Sequence, residues 1–153
     1  MLRNAIPEAL RAALKDQDKL ATSTVRLIMA ALKDRDIAAR GKGNTEGIDD
    51  DEILQMLQTM VKQRRDSIEM YEKGGRLELA AQEAEEIAVI ERFLPQQLGD
   101  DEIGAVVDQV IADVGAGGLK DMGNVMSTLR ERYAGQMDFG NASALVKQKL
   151  GAG

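Results

Sequence analysis

Residues 62–98, KQRRDSIEMYEKGGRLELAAQEAEEIAVIERFLPQQL, read as two helical arms around a glycine pair, closed by a proline. In the first arm an apolar line through Val61, Ile68 and Tyr71 runs beside Lys62, Arg64 and Arg65. Gly74 and Gly75 interrupt it, since each glycine disfavours helix by roughly 1 kcal/mol and readily takes the left-handed geometry of a helix C-cap. From Arg76 to Leu94 the second arm carries Leu77, Ala80, Ala84, Ile87, Ile90 and Leu94 at helical spacing. Pro95 lacks an N–H and biases Leu94 away from helical backbone, which predicts a stop and a hinge there. The expected division is a domain of residues 1–95 and a second of residues 96–153.

Working outward, the spacing of Ile6, Leu10, Ala13 and Leu14 predicts a helix over 6–15, with Pro7 in its first turn. Val25, Ile28, Leu32 and Ala39 predict another over 20–40, and GKGNTEG at 41–47 a loop. Asp49 as N-cap, Glu52 three residues on, and the pair Ile48 and Ile53 mark the start of a third helix running to about Lys73. The same places recur after Pro95 as Leu98, Gly99, Glu102 and Ile103. Ile103, Val106, Val107, Val110, Ile111 and Val114 then favour helix over strand by their three- and four-residue spacing. GAGG at 115–118 breaks the chain. A sixth helix over 119–133 follows, then a seventh from an Asp138 cap to Leu150, leaving 151–153 as frayed tail. The fold class is all-α, four helices and then three.

Composition narrows the chemistry. Only 3% of the 153 residues are aromatic and eight are Met, so the core must be aliphatic. There is no Cys and no His. That removes disulfides, zinc sites of the usual kind, catalytic triads, Cys-His pairs and imidazole acid–base chemistry. Neither catalytic residues nor a cofactor are expected. The net charge of −6 disfavours a general polyanion binder, and DNA binding with it, while leaving room for a local basic face. No apolar run approaches the roughly 20 residues of a membrane helix, and the first 15 residues are amphipathic rather than a secretory signal. These features lead to the expectation of a soluble cytoplasmic protein with no membrane partner.

Four groups of charge invite a functional reading. Lys19, Arg26, Lys33 and Arg40 recur every seven residues as a basic stripe, which Asp36 stands ready to neutralise in part. In the hairpin the pairs Lys62–Asp66, Arg65–Glu69, Glu69–Lys73 and Glu72–Arg76 form an i,i+4 ladder, leaving Gln63 and Arg64 without local partners and so free to bind something. Glu83, Glu85, Glu86 and Glu91 lie on one helix, which rarely suffices for a metal, so no metal site is expected. GAGG lacks the Lys-Ser/Thr of a phosphate-binding loop. Lys120, Arg130, Arg132, Lys147 and Lys149 are the bases beyond Pro95, and antiparallel packing of the last two helices would let them share one end or face.

The run VKQRRDSIEMYEKGGRLELAAQEAEEIAVIERFLPQQL closely resembles the signature of YqeY-like proteins in the GatB/YqeY family, and the likeness extends over nearly the whole chain. Residues 97–150 resemble the helical tail of the B subunit of tRNA-dependent amidotransferases, through Gly123-Asn124-Val125-Met126, Gly135, Asp138, Leu145-Val146 and Lys149-Leu150. Gln136 stands where many relatives carry a base. The resemblance implies a non-catalytic tRNA-binding accessory protein related to a glutamine-dependent carbon–nitrogen ligase, with an amidotransferase or another protein as further partner. The RNA contacts expected are Lys120, Asn124, Arg130, Lys147, Lys149 and Arg64, with Asp138 a cap rather than a contact. The alternative is a protein–protein adaptor with no RNA role, in which Met122, Met126 and Met137 line an adaptable groove.

Overall fold

The computed structural model describes residues 1–152, with Ala152 in backbone only. The described chain is all-α and divides into two compact units, Met1–Pro95 and Gln96–Gly153.

The N-terminal unit holds α1 (Leu2–Lys15), α2 (Lys19–Gly41), α3 (Asp50–Lys73) and α4 (Leu77–Glu91). Helix α3 packs along α4, α1 along α2, and α2 also against α4. Ile6, Val25, Ile28, Ile53, Met56, Leu57 and Ile90 meet in its core, almost wholly out of water. Each such side chain contributes about 1.5–3 kcal/mol of burial relative to exposure.

Three expectations change here. Helix α1 begins at Leu2, so Pro7 lies in its second turn, and Leu14 is 50% exposed rather than part of the buried stripe. Leu77, at 66% exposure, and Ala84 also face water. Helix α4 stops at Glu91; the N–H groups of Arg92, Phe93 and Leu94 then bond three residues back, to Val89, Ile90 and Glu91, so the last turn tightens before Pro95 is reached.

Helix ends follow local chemistry closely. Asp49 accepts from the Glu52 N–H at 2.9 Å, as an N-cap should. At the other end of α3, Gly75 takes φ 74°, Gly75 N–H bonds Glu72 O and Arg76 N–H bonds Tyr71 O, the Schellman arrangement that ends the arm.

The C-terminal unit holds α5 (Asp100–Val114), a 3-10 turn (Leu119–Asp121), α6 (Met122–Arg132) and α7 (Phe139–Ala152). Its separate core joins Val107, Val110, Val125, Leu129, Met137, Ala142 and Val146. Helix α7 includes Gly151 and Ala152, so those two residues are helical and not frayed; Gly153 lies outside the described residues. Among the described residues no helix is long and apolar enough to cross a membrane.

Candidate functional site

The loop between α6 and α7 is tied by hydrogen bonds to Gln97 and Leu98, 38 residues back, and by a local cap. Gly135 takes φ 77°, its carbonyl accepts from Gln97 Nε2 at 2.6 Å, and Gln136 O accepts from the Leu98 N–H at 2.9 Å. Asp138 then caps α7, its Oδ1 accepting from the Gly140 N–H at 2.9 Å. The loop is short, α6 packs against α7, and the 3-10 turn before α6 also touches α7. The two helices are therefore antiparallel. Lys120 and the C-terminal half of α7, with Lys147, fall towards one end, and Arg130 falls at the other, its guanidinium 6.0 Å from the ring centre of Phe139. The bases do not all gather at one end, as the sequence had allowed.

Lys120, Asn124, Arg130 and Lys147 are exposed. Lys149 is not free: its Nζ lies 2.6 Å from Asp108 of α5. Arg132 likewise reaches Asp113 of α5 at 2.6 Å. Hydrogen bonds from Arg132 and from Gln109 hold the Asp113 carboxyl below its usual range, and the same bond to Asp113 raises Arg132. Sequence reasoning missed both bridges, because their partners stand 41 and 19 residues apart and only packing brings them together.

Arg64 lies in the other unit and is the clearest correction. Its side chain is 14% exposed, with Nε 3.3 Å from Glu86 and 4.0 Å from Glu83 of α4 and Nη1 bonding the Met60 carbonyl at 3.2 Å. Nε is not aligned for a hydrogen bond, so the contact to Glu86 is an ion pair by distance. The absence of local partners held only along its own helix; the partners come from the facing one. Burial first, then the nearby Glu86, push the Glu83 carboxyl up, against the pull of Arg64. The two glutamates point at a guanidinium, and among the described residues no group of three or more His, Cys, Asp or Glu could hold a metal.

Of the expected ladder, Glu69–Lys73 is present at 3.1 Å, whereas Arg76 pairs with Glu78 at 2.8 Å because it stands beyond the end of α3. Asp36 serves the basic stripe only through a minor attraction to Arg40. Arg3 binds both its oxygens, at 2.7 and 3.0 Å, and the Ile48 N–H donates to Oδ1 at 2.9 Å. The bond from Arg3 is the main reason the Asp36 carboxyl lies below its usual range. Arg3 also donates to the Ile48 carbonyl at 2.8 Å, so this pair fixes the entry to α3. The proposed methionine groove does not form: Met126 and Met137 are buried in the core and Met122 packs against it.

The described chain is thus an all-α protein of two small helical units, with exposed bases on the second. The chain belongs to the family of YqeY-like proteins, whose family model matches residues 3–150. Among its relatives is the altered inheritance of mitochondria protein 41, mitochondrial, of Lachancea thermotolerans, 29% identical over 107 residues, which cover 69% of this chain and 55% of the relative. The protein of the same name from Kluyveromyces lactis is 27% identical over 113 residues, covering 72% of this chain and 58% of the relative. In Saccharomyces cerevisiae the identity is 28% over 87 residues, covering 57% and 45%. The chain thus spans about half the length of the curated relatives it matches. The expectation of a cytoplasmic protein is overturned by these relatives, which are named as mitochondrial. Its basis was weak physically, because the lack of a long apolar segment bears on membrane insertion and not on compartment.

Proposed function

We propose that this protein is a non-catalytic tRNA-binding accessory protein, related to the tail of the glutamine-dependent tRNA amidotransferase and acting beside such a complex. One observation supports the reading: Lys120 of the 3-10 turn, Arg130 of α6 and Lys147 of α7 are exposed and form no ion pair among the described residues, in the unit that resembles the amidotransferase tail. Exposed cations of this kind suit the phosphate backbone and shape of an RNA rather than its base edges. Asn124, exposed in the first turn of α6, adds a neutral donor to this unit. Lys149 contributes after exchanging Asp108 for a phosphate.

The test is binding of total tRNA, with and without esterified amino acids, to the purified chain across a salt series. Saturable binding that weakens with salt is expected, and Lys120→Ala, Arg130→Ala or Lys147→Ala should each lower the salt dependence by about one phosphate contact. Lack of binding at low salt overturns the reading.

A further inference from the structure

The basic stripe of α2 is not absorbed by a function placed in the C-terminal unit. Lys19, Arg26, Lys33 and Arg40 are all exposed, and among the described residues none of them is within ion-pair distance of a carboxylate. Steps of seven residues put neighbouring charges about 10 Å apart and the whole row over about 31 Å, drifting about 20° per step on one face. The acid placed to neutralise it is Asp36, within one turn of Lys33 and Arg40. Both oxygens of Asp36 are taken by Arg3 and the Ile48 N–H, and Arg40 is the last of the influences that lower its carboxyl. Asp34 follows Lys33 about 100° round the helix and borders the row at Ala30 and Ile37, with no ion pair to it among the described residues. The result is a straight line of four cations, of which Arg40 alone feels Asp36, on a protein whose net charge is −6.

We infer that this line is a docking surface for the phosphate backbone of a base-paired RNA stem. The inference rests on the reading of the protein as an RNA binder and extends it to a surface outside the α6–α7 pair. Charge complementarity selects the partner. An anionic membrane would need an apolar face to insert, but that face of α2, with Ala21, Val25, Ile28 and Leu32, is buried in the core; Leu27 and Ile37, ten residues apart, are what remains exposed. A protein partner would need a dry apolar centre, and between the charges the outward face offers Ser23, Ala30 and Ile37. Unpaired bases would need stacking platforms, and the first aromatic residue of the chain is Tyr71, on α3. Regularly spaced point charges read a backbone and leave base identity unread.

The experiment uses the full chain with total tRNA, a plain RNA hairpin and vesicles of anionic phospholipid. The variants are K19Q/R26Q/K33Q/R40Q, the charge-preserving K19R/R26K/K33R/R40K, and K120A/K147A on the other unit. The glutamine variant should lose more than tenfold in affinity for the hairpin at low salt, and its log–log salt slope should flatten by about 3 to 4. The charge-preserving variant should bind as the parent does. Since all four sites are exposed, the circular-dichroism melt should stay in place; a variant that fails to fold is replaced by the four single glutamine changes, each worth about one unit of slope. An unchanged slope in the glutamine variants overturns the stripe, and the tail reading survives if K120A/K147A still weakens binding. Loss confined to the glutamine variant upholds the stripe and overturns the tail. Parent protein that binds vesicles and neither RNA overturns both.

Discussion

Both units place charged contacts between helices, but those of the N-terminal unit are the more buried. Arg64 of α3 reaches Glu83 and Glu86 of α4, and Arg3 of α1 clasps Asp36 of α2 and the Ile48 carbonyl, while the Ile48 N–H donates to Asp36. In the C-terminal unit the ion pairs lie on the outside of α5, where Asp108 holds Lys149 and Asp113 holds Arg132. The first unit thereby keeps its α2 bases unpartnered, while the second gives up two of its five to its own acidic helix. A charge placed between helices fixes their register; a charge on an exposed bridge remains exchangeable for an outside anion.

The helix starts differ in a complementary way. Before α3 the side chain of Asp49 accepts from the Glu52 N–H; before α5 Gly99 has no side chain, and its own N–H instead donates to Glu102 Oε1 at 3.2 Å. Each unit thus uses one half of the same capping box.

The contrast is broken most forcefully at Arg64. Arg64→Ala leaves Glu83 and Glu86 half-buried without their cation, and stability should fall by about 3 kcal/mol, read from urea unfolding. A loss below about 0.5 kcal/mol would put this cluster on a par with the surface bridges.

Asp36 comes next. Asp36→Asn should lower stability at neutral pH by about 2 kcal/mol, through the charged bonds to Arg3 and the acceptor of the Ile48 N–H. The Asp36 carboxyl lies below its ordinary 3.8 in the folded chain, so its contribution is complete above that value and disappears as pH falls through 3.8 and below. Parent and variant melts should therefore converge in acid. Glu83 has the opposite sign: its carboxyl lies above 4.5, so stability declines as pH rises past 4.5, and Glu83→Gln should flatten that part of the profile.

A gain is expected at Gln17. It takes φ 57° and closes α1 with the bonds Gln17 N–H to Leu14 O and Asp18 N–H to Ala13 O, the same arrangement that Gly75 supplies after α3 and Gly115 (φ 67°) after α5. Gln17→Gly should raise stability by about 0.5–1 kcal/mol, seen as a higher Tm, because only glycine enters this region without strain. The smallest effect belongs to Lys149→Ala, about 0.5 kcal/mol or less, and molar salt should erase it.

Much of the architecture was legible along the chain. Helical spacing, the Asp49 and Asp138 caps and the left-handed Gly75 are decided within a few residues, and the structure repeats them. The end of α4 was misplaced by three residues, because Phe93 and Leu94 enter a tighter turn and pack against the core before proline acts. Of the candidate site, residue types and exposure could be read, and partnership could not.

The sequence by itself determined the all-α class, the order of helices and the exclusion of imidazole and thiol chemistry, since period, capping and composition are local or global sums needing no third dimension. Tertiary structure alone decided that Arg64 is an interhelical ion, that Asp36 belongs chiefly to Arg3, and that Lys149 and Arg132 are bridged to α5. Those outcomes depend on which helix faces meet, and charges 19 to 41 residues apart become neighbours only after apolar packing has set that arrangement.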